Sequence, residues 1–253
     1  MASRGLEGVV VAETRLSKIY GEQGRLIYNG YEIEDLAENT TFEEVCHLLW
    51  YGSLPNRRQL DELRNQMARE RAVDPQLIQL LRLLPSNTHP MAALRTAASA
   101  LASFDPEAED MSRDANLRKA IRITAKLPTL TAAFDRLRNG KDPIPPREDL
   151  PHAANFLYML HGNEPDELES HIIDAAFILH AEHGMNASTF SARVTVATLS
   201  DMHSGVTSAI GTLKGPLHGG ANERVMHMLM DIGSVENVDS WIRSALDRGE
   251  RIM

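Results

Sequence analysis

Apolar side chains recur every three or four residues along most of this chain, and one short region near the N-terminus departs from that spacing. Residues 16–20 and 25–28 form two β-like runs separated by Gly21-Glu22-Gln23-Gly24, whose glycines suit a tight reversal, so a small hairpin is predicted there. Beyond it the pattern is helical. Thr41 can cap a segment that places Phe42, Val45, Leu48 and Leu49 on one face and ends at Gly52 and Pro55. Helices follow over 59–71, with Leu60, Leu63 and Met67, and over 76–84, where Asp74-Pro75 is a cap and first-turn proline and Pro85 a stop. Pro90 opens an alanine-rich helix over 91–104, and the long pattern over 114–138 contains Pro128, where loss of a backbone donor predicts a kink. Asn139-Gly140 ends it, and Lys141-Asp142-Pro143-Ile144-Pro145-Pro146 reads as a rigid extended loop. Further helices are predicted over 149–160, 167–183, 188–199 and 204–213, with two more within 222–251. The expected fold is all-α with a small N-terminal β-hairpin.

The chain has 253 residues and a net charge of −9 without a long block of one sign, which argues against a nucleic-acid partner. The early apolar run Val9-Val10-Val11-Ala12 is too short for a signal segment, and nothing approaches the roughly 20 apolar residues that span a bilayer. A cytoplasmic protein without membrane contact is expected. The single cysteine, Cys46, lies in an apolar stretch and reads as a buried structural thiol.

Two segments could carry chemistry. In Leu179-His180-Ala181-Glu182-His183-Gly184-Met185-Asn186-Ala187-Ser188-Thr189, two histidines three apart share a predicted helix face and Gly184 ends the helix. Spacing alone leaves open whether they pack inside the protein or face a ligand. A metal is not expected: the segment is not H-E-x-x-H and offers no third ligand at a fixed short spacing. The second segment is Leu213-Lys214-Gly215-Pro216-Leu217-His218-Gly219-Gly220-Ala221-Asn222-Glu223. Gly219 and Gly220 leave His218 open to substrate, and Asn222 can cap a helix whose first N–H groups favour a carboxylate. His89, just before Pro90, reads as a histidine tucked against a helix start, while His47, His152, His161, His171, His203 and His227 read as core or surface.

Both segments resemble motifs of the citrate synthase family, and they stand in that family's order. The first is similar to its histidine-helix motif and the second to its active-site loop, while His89-Pro90-Met91 with Leu94-Arg95-Thr96-Ala97, and Tyr28-Asn29-Gly30-Tyr31 after the hairpin, resemble its large-domain helix start and its bacterial and archaeal opening. The related 2-methylcitrate synthases are nearly as similar. The resemblance implies a large helical domain over 1–221, the beginning of a small domain over 222–253, and a homodimer. The alanine-rich helix from Met91 and the 204–213 segment, with Gly205 and Gly211, are the expected partner contacts. It further implies a Claisen-type condensation of acetyl-CoA with oxaloacetate, giving citrate and coenzyme A. The thioester is then a substrate and no cofactor is needed. On this basis His218 holds the thioester oxygen as the enol forms, His183 binds oxaloacetate, and His180, Asn186, Gly219, Gly220 and Asn222 support them.

The resemblance also marks a departure. The family's second catalytic histidine motif, its catalytic aspartate and its oxaloacetate arginines find no counterpart before Met253, and nothing places Asp201 on the substrate. The expectation is a truncated form with an incomplete site, inactive or very weak by itself. The alternatives are a propionyl-CoA-using 2-methylcitrate synthase, a non-catalytic dimeric scaffold, and a helical metal hydrolase built on His180, His183 and His218.

Overall fold

The computed structural model describes residues 10–216, 218–250 and 252, and of Ala221 and Asn222 the backbone alone. Val9 and Leu217 lie outside the described residues. Strands β1 (Ser17–Tyr20) and β2 (Arg25–Tyr28) form the expected hairpin, paired Ser17 to Tyr28 and Tyr20 to Arg25, with Gly24 at φ 63° in the connection. A third strand, β3 (Tyr31–Glu32), extends the antiparallel sheet in the order β1-β2-β3. It leads into α1 (Ile33–Asn39), which the sequence pattern did not predict: one apolar face of Ile33 and Leu36 is too little periodicity, and Glu32 makes no side-chain cap.

The following helices stand close to their predicted positions because their ends are marked. Thr41 and Glu44 form a capping box for α2 (Phe42–Tyr51), which ends at Gly52 with φ 85°. Asn56 and Gln59 do the same for α3 (Arg57–Glu70), and the Asp74 side chain caps α4 (Pro75–Arg82). α5 (Pro90–Leu101) continues into a 3-10 turn over Ala102–Phe104. α6 (Arg113–Arg138) contains Pro128 and is held between α3, α4, α5 and α7 (His152–His161). α8 (Glu167–His180), α9 (Ala187–Val196), α10 (Met202–Leu213), α11 (Gly220–Ile232) and α12 (Val238–Asp247) complete the chain, with a 3-10 turn over Val235–Asn237 before the last.

Three apolar clusters hold these elements together. Leu77 and Leu81 of α4 meet Ala93, Ala97 and Leu101 of α5 and Leu130 and Phe134 of α6. Cys46 of α2 joins Leu63 and Met67 of α3 and Ile121 and Ala125 of α6, and burial pushes its thiol pKa well up, as suits a structural cysteine. Tyr28, Ile33, Leu36, Val45, Leu48 and Ile178 tie the sheet to α1, α2 and α8. Small residues also make close helix contacts within the chain. Ala93, Ala97 and Ala98 of α5 are buried, a Cβ on Gly205 would lie 2.7 Å from Val196 of α9, and one on Gly211 would lie 3.5 Å from Arg95 of α5.

Several charged groups in the fold are held by hydrogen bonds. Arg118 and then Arg122 hold the Glu107 carboxyl at about 2, Arg122 also bonds Asp105, and the buried Lys119 ammonium donates to the carbonyls of Ala108 and Asp110. Asp174 of α8 lies beside a carboxylate of like charge. Burial, and then the neighbouring Glu43 carboxylate, raise it to about 6, against the pull of the Phe42 N–H, His171 and Arg64. A carboxyl raised in this way contributes stability below its unfolded value of 3.8, and that contribution is lost as the pH rises through about 6. Asp174→Asn keeps an acceptor for the Phe42 N–H, so the variant should show a flatter stability profile between pH 4 and 7. At pH 8 it should gain about 1 kcal/mol after discounting for solvent screening. Urea unfolding at several pH values reads both.

Candidate active site

The two candidate segments meet in space. α8 delivers His180 as its last residue, and the ring Nδ1–H donates to the Ala176 carbonyl at 2.6 Å. His183 lies beyond the helix, which corrects the expectation of one helix face running to 183: residues 181–186 form an irregular link with Gly184 at φ 83°. The reason is a side chain from the sheet. The Tyr28 hydroxyl bonds the Ile178 carbonyl and the Glu182 N–H, and a helix reaching 183 would have to pair those two groups with each other. Asn186 then caps α9 by accepting from the Thr189 N–H at 2.9 Å, and its amide nitrogen lies 3.4 Å from His183 Nδ1. If that amide donates, a neutral His183 carries its hydrogen on Nε2.

The glycine turn closes against the end of α10. The His218 N–H donates to the Gly215 carbonyl at 2.9 Å and the Gly219 N–H to the Leu213 carbonyl at 3.0 Å. A Cβ on Gly219 would stand 2.3 Å from that Leu213 oxygen, so the closure of the turn itself requires glycine at this position. α11 begins at Gly220 with Gly219 as its N-cap, so Asn222 is inside the helix and does not cap it; its side chain lies outside the described residues. The N–H groups opening α11 therefore sit directly after His218.

Ser188, in the first turn of α9, joins the two segments: its hydroxyl lies 2.7 Å from His218 Nε2. No local spacing pairs two residues 30 apart, so Ser188 is a site residue that sequence patterns do not reveal. The histidines line two adjoining clefts. One of about 520 Å³ is bounded by His89, His180, His183, Lys214, His218, Gly219, Gly220 and Glu223, and one of about 440 Å³ by His180, Glu182, His183, Asn186, Ser188, Arg193 and His218. His89 is both a cap, accepting from the Met91 N–H at 3.1 Å, and a wall of the larger cleft. Lys214 and Arg193 are the cations among the residues lining these clefts.

Other candidates have structural positions. Asp201 caps α10 by accepting from the Ser204 N–H, away from both clefts' linings. His47, His152 and His203 are buried, and His161, His171 and His227 are exposed. Among the described residues no group of three His, Cys, Asp or Glu side chains is placed to hold a metal ion, and no helix is long and apolar enough to cross a membrane.

The fold and site describe an all-α protein with a helix-ending histidine loop and a histidine-bearing glycine turn joined across one cleft. A family model described as citrate synthase, C-terminal domain, matches residues 5–253. Citrate synthase 2 of Bacillus subtilis is 54% identical over 253 residues, which are 100% of this chain and 68% of that protein. A 2-methylcitrate synthase of Mycobacterium tuberculosis is 46% identical, covering 99% of this chain and 63% of its own length. The crystal structure of citrate synthase from Pyrobaculum aerophilum superposes with a TM-score of 0.90 at 41% identity, over 98% of this chain and 64% of that one. Citrate synthase from Thermoplasma acidophilum, in a ternary complex with carboxymethyl coenzyme A and oxaloacetate, gives 0.88 at 29% identity, over 96% of this chain and 64% of that one. The chain belongs to the citrate synthase family. It spans about two thirds of the length of the relatives it matches.

Proposed function

We propose that this protein serves the condensation of an acyl-CoA thioester with oxaloacetate, and that the cleft between the 180–189 loop and the 215–220 turn is where the two substrates meet. The observation that carries this reading is the Ser188–His218 contact of 2.7 Å, which links both family motifs in one site. With Nε2 accepting the Ser188 hydroxyl hydrogen, a neutral His218 carries its own hydrogen on Nδ1. That N–H can then donate to the thioester oxygen as negative charge develops there. His183, with Nδ1 taken by Asn186, offers Nε2–H to oxaloacetate. The α11 N–H groups and the Lys214 ammonium favour the dianionic substrate electrostatically.

The carboxylates lining the clefts are Glu182 and Glu223. Glu182 accepts from Ser17 and Gly184, and Glu223 is exposed in the first turn of α11. With Glu182 engaged by the loop and Glu223 open to solvent, neither is held as a base, so the 253 residues by themselves should condense slowly and full turnover needs a further carboxylate. We assign α11 and α12 to the start of a second helical unit. We place a homodimer contact on α8 and α9, where Leu168, Ile172, Leu179, Val194 and Val196 are exposed and Ile178 is the buried residue. The site needs no cofactor under this reading, and a cytoplasmic setting supplies both substrates.

The test is release of free coenzyme A thiol on adding oxaloacetate to the protein with acetyl-CoA or propionyl-CoA. Oxaloacetate-dependent release is expected, faster with acetyl-CoA; faster release with propionyl-CoA assigns the 2-methylcitrate reaction, and none with either overturns the proposal. Ser188→Ala removes the partner that fixes the His218 ring. With one hydrogen bond of about 1–2 kcal/mol lost, kcat should fall about 5- to 30-fold and the KM for oxaloacetate should change little. Steady-state kinetics on the variant check this.

A further inference from the structure

We propose that Tyr28 is a positioning residue for this site: its hydroxyl, set between the Ile178 carbonyl and the Glu182 N–H, ends α8 at His180 and fixes the loop that carries His183. The functional part of this inference rests on the reading of the cleft given above. In a helix continuing past His180 the Glu182 N–H would donate to the Ile178 carbonyl. Instead the Tyr28 O–H donates to that carbonyl at 3.1 Å and accepts from that N–H at 3.1 Å. The Ala181 N–H makes a tight i to i−3 bond to the same carbonyl at 3.2 Å, as in a closing 3-10 turn.

The phenol has little freedom to yield. Tyr28 is 0% exposed, paired with Ser17 and Tyr31 across the sheet, and packed in the cluster that includes Leu36, Leu48 and Ile178. The hairpin holds the loop at two further points. Ser17, the cross-strand partner of Tyr28, donates its hydroxyl to Glu182 Oε1 at 2.9 Å, and that same oxygen accepts from the Gly184 N–H. A Cβ on Gly184, at φ 83°, would come within 3.6 Å of Ile19 Cδ1. His183 thus stands between two residues that the sheet grips, while no residue of β1 or β2 lines either cleft. The sheet acts on the site through the loop. Without the hydroxyl, the Ile178 carbonyl and Glu182 N–H can pair directly, α8 grows, and His183 moves onto the helix.

The test is Tyr28→Phe in the full 253-residue chain with labelled histidine and backbone, read by NMR with oxaloacetate as the ligand. The Cα shifts of residues 181–183 should move toward helical values and the His183 ring signals should shift, while the His47 ring signal stays in place. Oxaloacetate affinity should fall about tenfold, as expected for misplacing one contact. Added to His183→Ala, Tyr28→Phe should cost no further affinity yet should lower the melting temperature as much as it does alone. A lower melting temperature with unchanged 181–183 and His183 signals would overturn the proposal. Should the parent chain bind no oxaloacetate, the reading of the cleft fails, and the NMR shifts still decide whether Tyr28 sets the loop. If Tyr28→Phe does not fold, Ser17→Ala removes the second tie at a half-buried position. Unchanged Gly184 and His183 signals in that variant would overturn the proposal equally.

Discussion

His218→Ala, in a form of the protein that turns over, should lower kcat by on the order of 10²–10³-fold while leaving the fold in place. The size follows from the role proposed for the ring. Enolising a thioester places negative charge on its oxygen, and an oriented N–H aimed at that oxygen is worth more in a water-poor cleft than in water. Ser188 at 2.7 Å from Nε2 orients the ring, and an alanine keeps neither group. The turn itself is closed by backbone bonds from His218 to Gly215 and from Gly219 to Leu213, so the substitution should change unfolding free energy by no more than about 1 kcal/mol. Near-normal turnover in a folded His218→Ala protein would remove this residue from the mechanism.

His183→Ala should act mainly on oxaloacetate. A hydrogen bond to a charged ligand contributes about 1.5–3 kcal/mol, so affinity should fall roughly 10- to 150-fold. The thioester should still bind, because its oxygen is assigned to His218 on the other segment. Calorimetric titration of oxaloacetate, with an acyl-CoA titration as control, separates the two effects. Equal loss of both ligands would mean that the cleft has collapsed, and unchanged oxaloacetate affinity would take His183 out of the site.

Most of the fold was legible because its helices announce their ends. Thr41 with Glu44, Asp74 with Pro75, and Gly52 act over three or four residues, the range that sequence patterns capture. α1 lacked such marks. The C-terminal end of α8 was hidden for a different reason: Tyr28 is 154 residues from Glu182, and local periodicity carries no trace of a side chain arriving from that distance. The alanines of α5 showed that a close helix contact would form, without showing that α4, α6 and α10 of the same chain make it.

At the site, the residue types and their order were readable, and both histidine segments line the same clefts. Their partners were not. The Ser188–His218 bond exists because α9 and α10 pack closely enough to bring the first turn of one against the loop leaving the other, and Gly205 against Val196 is part of that approach. Gly219 carries a second demand that spacing did not reveal, since the Leu213 carbonyl also requires a bare Cα there.

Oxaloacetate is proposed to bind between the 180–189 loop and the glycine turn. A crystal structure of the protein with oxaloacetate and carboxymethyl coenzyme A tests it most directly. The keto acid should be within hydrogen-bond distance of His183 Nε2, with the thioester analogue beside His218. Electron density for oxaloacetate elsewhere, with this cleft empty at saturating ligand, would contradict the account.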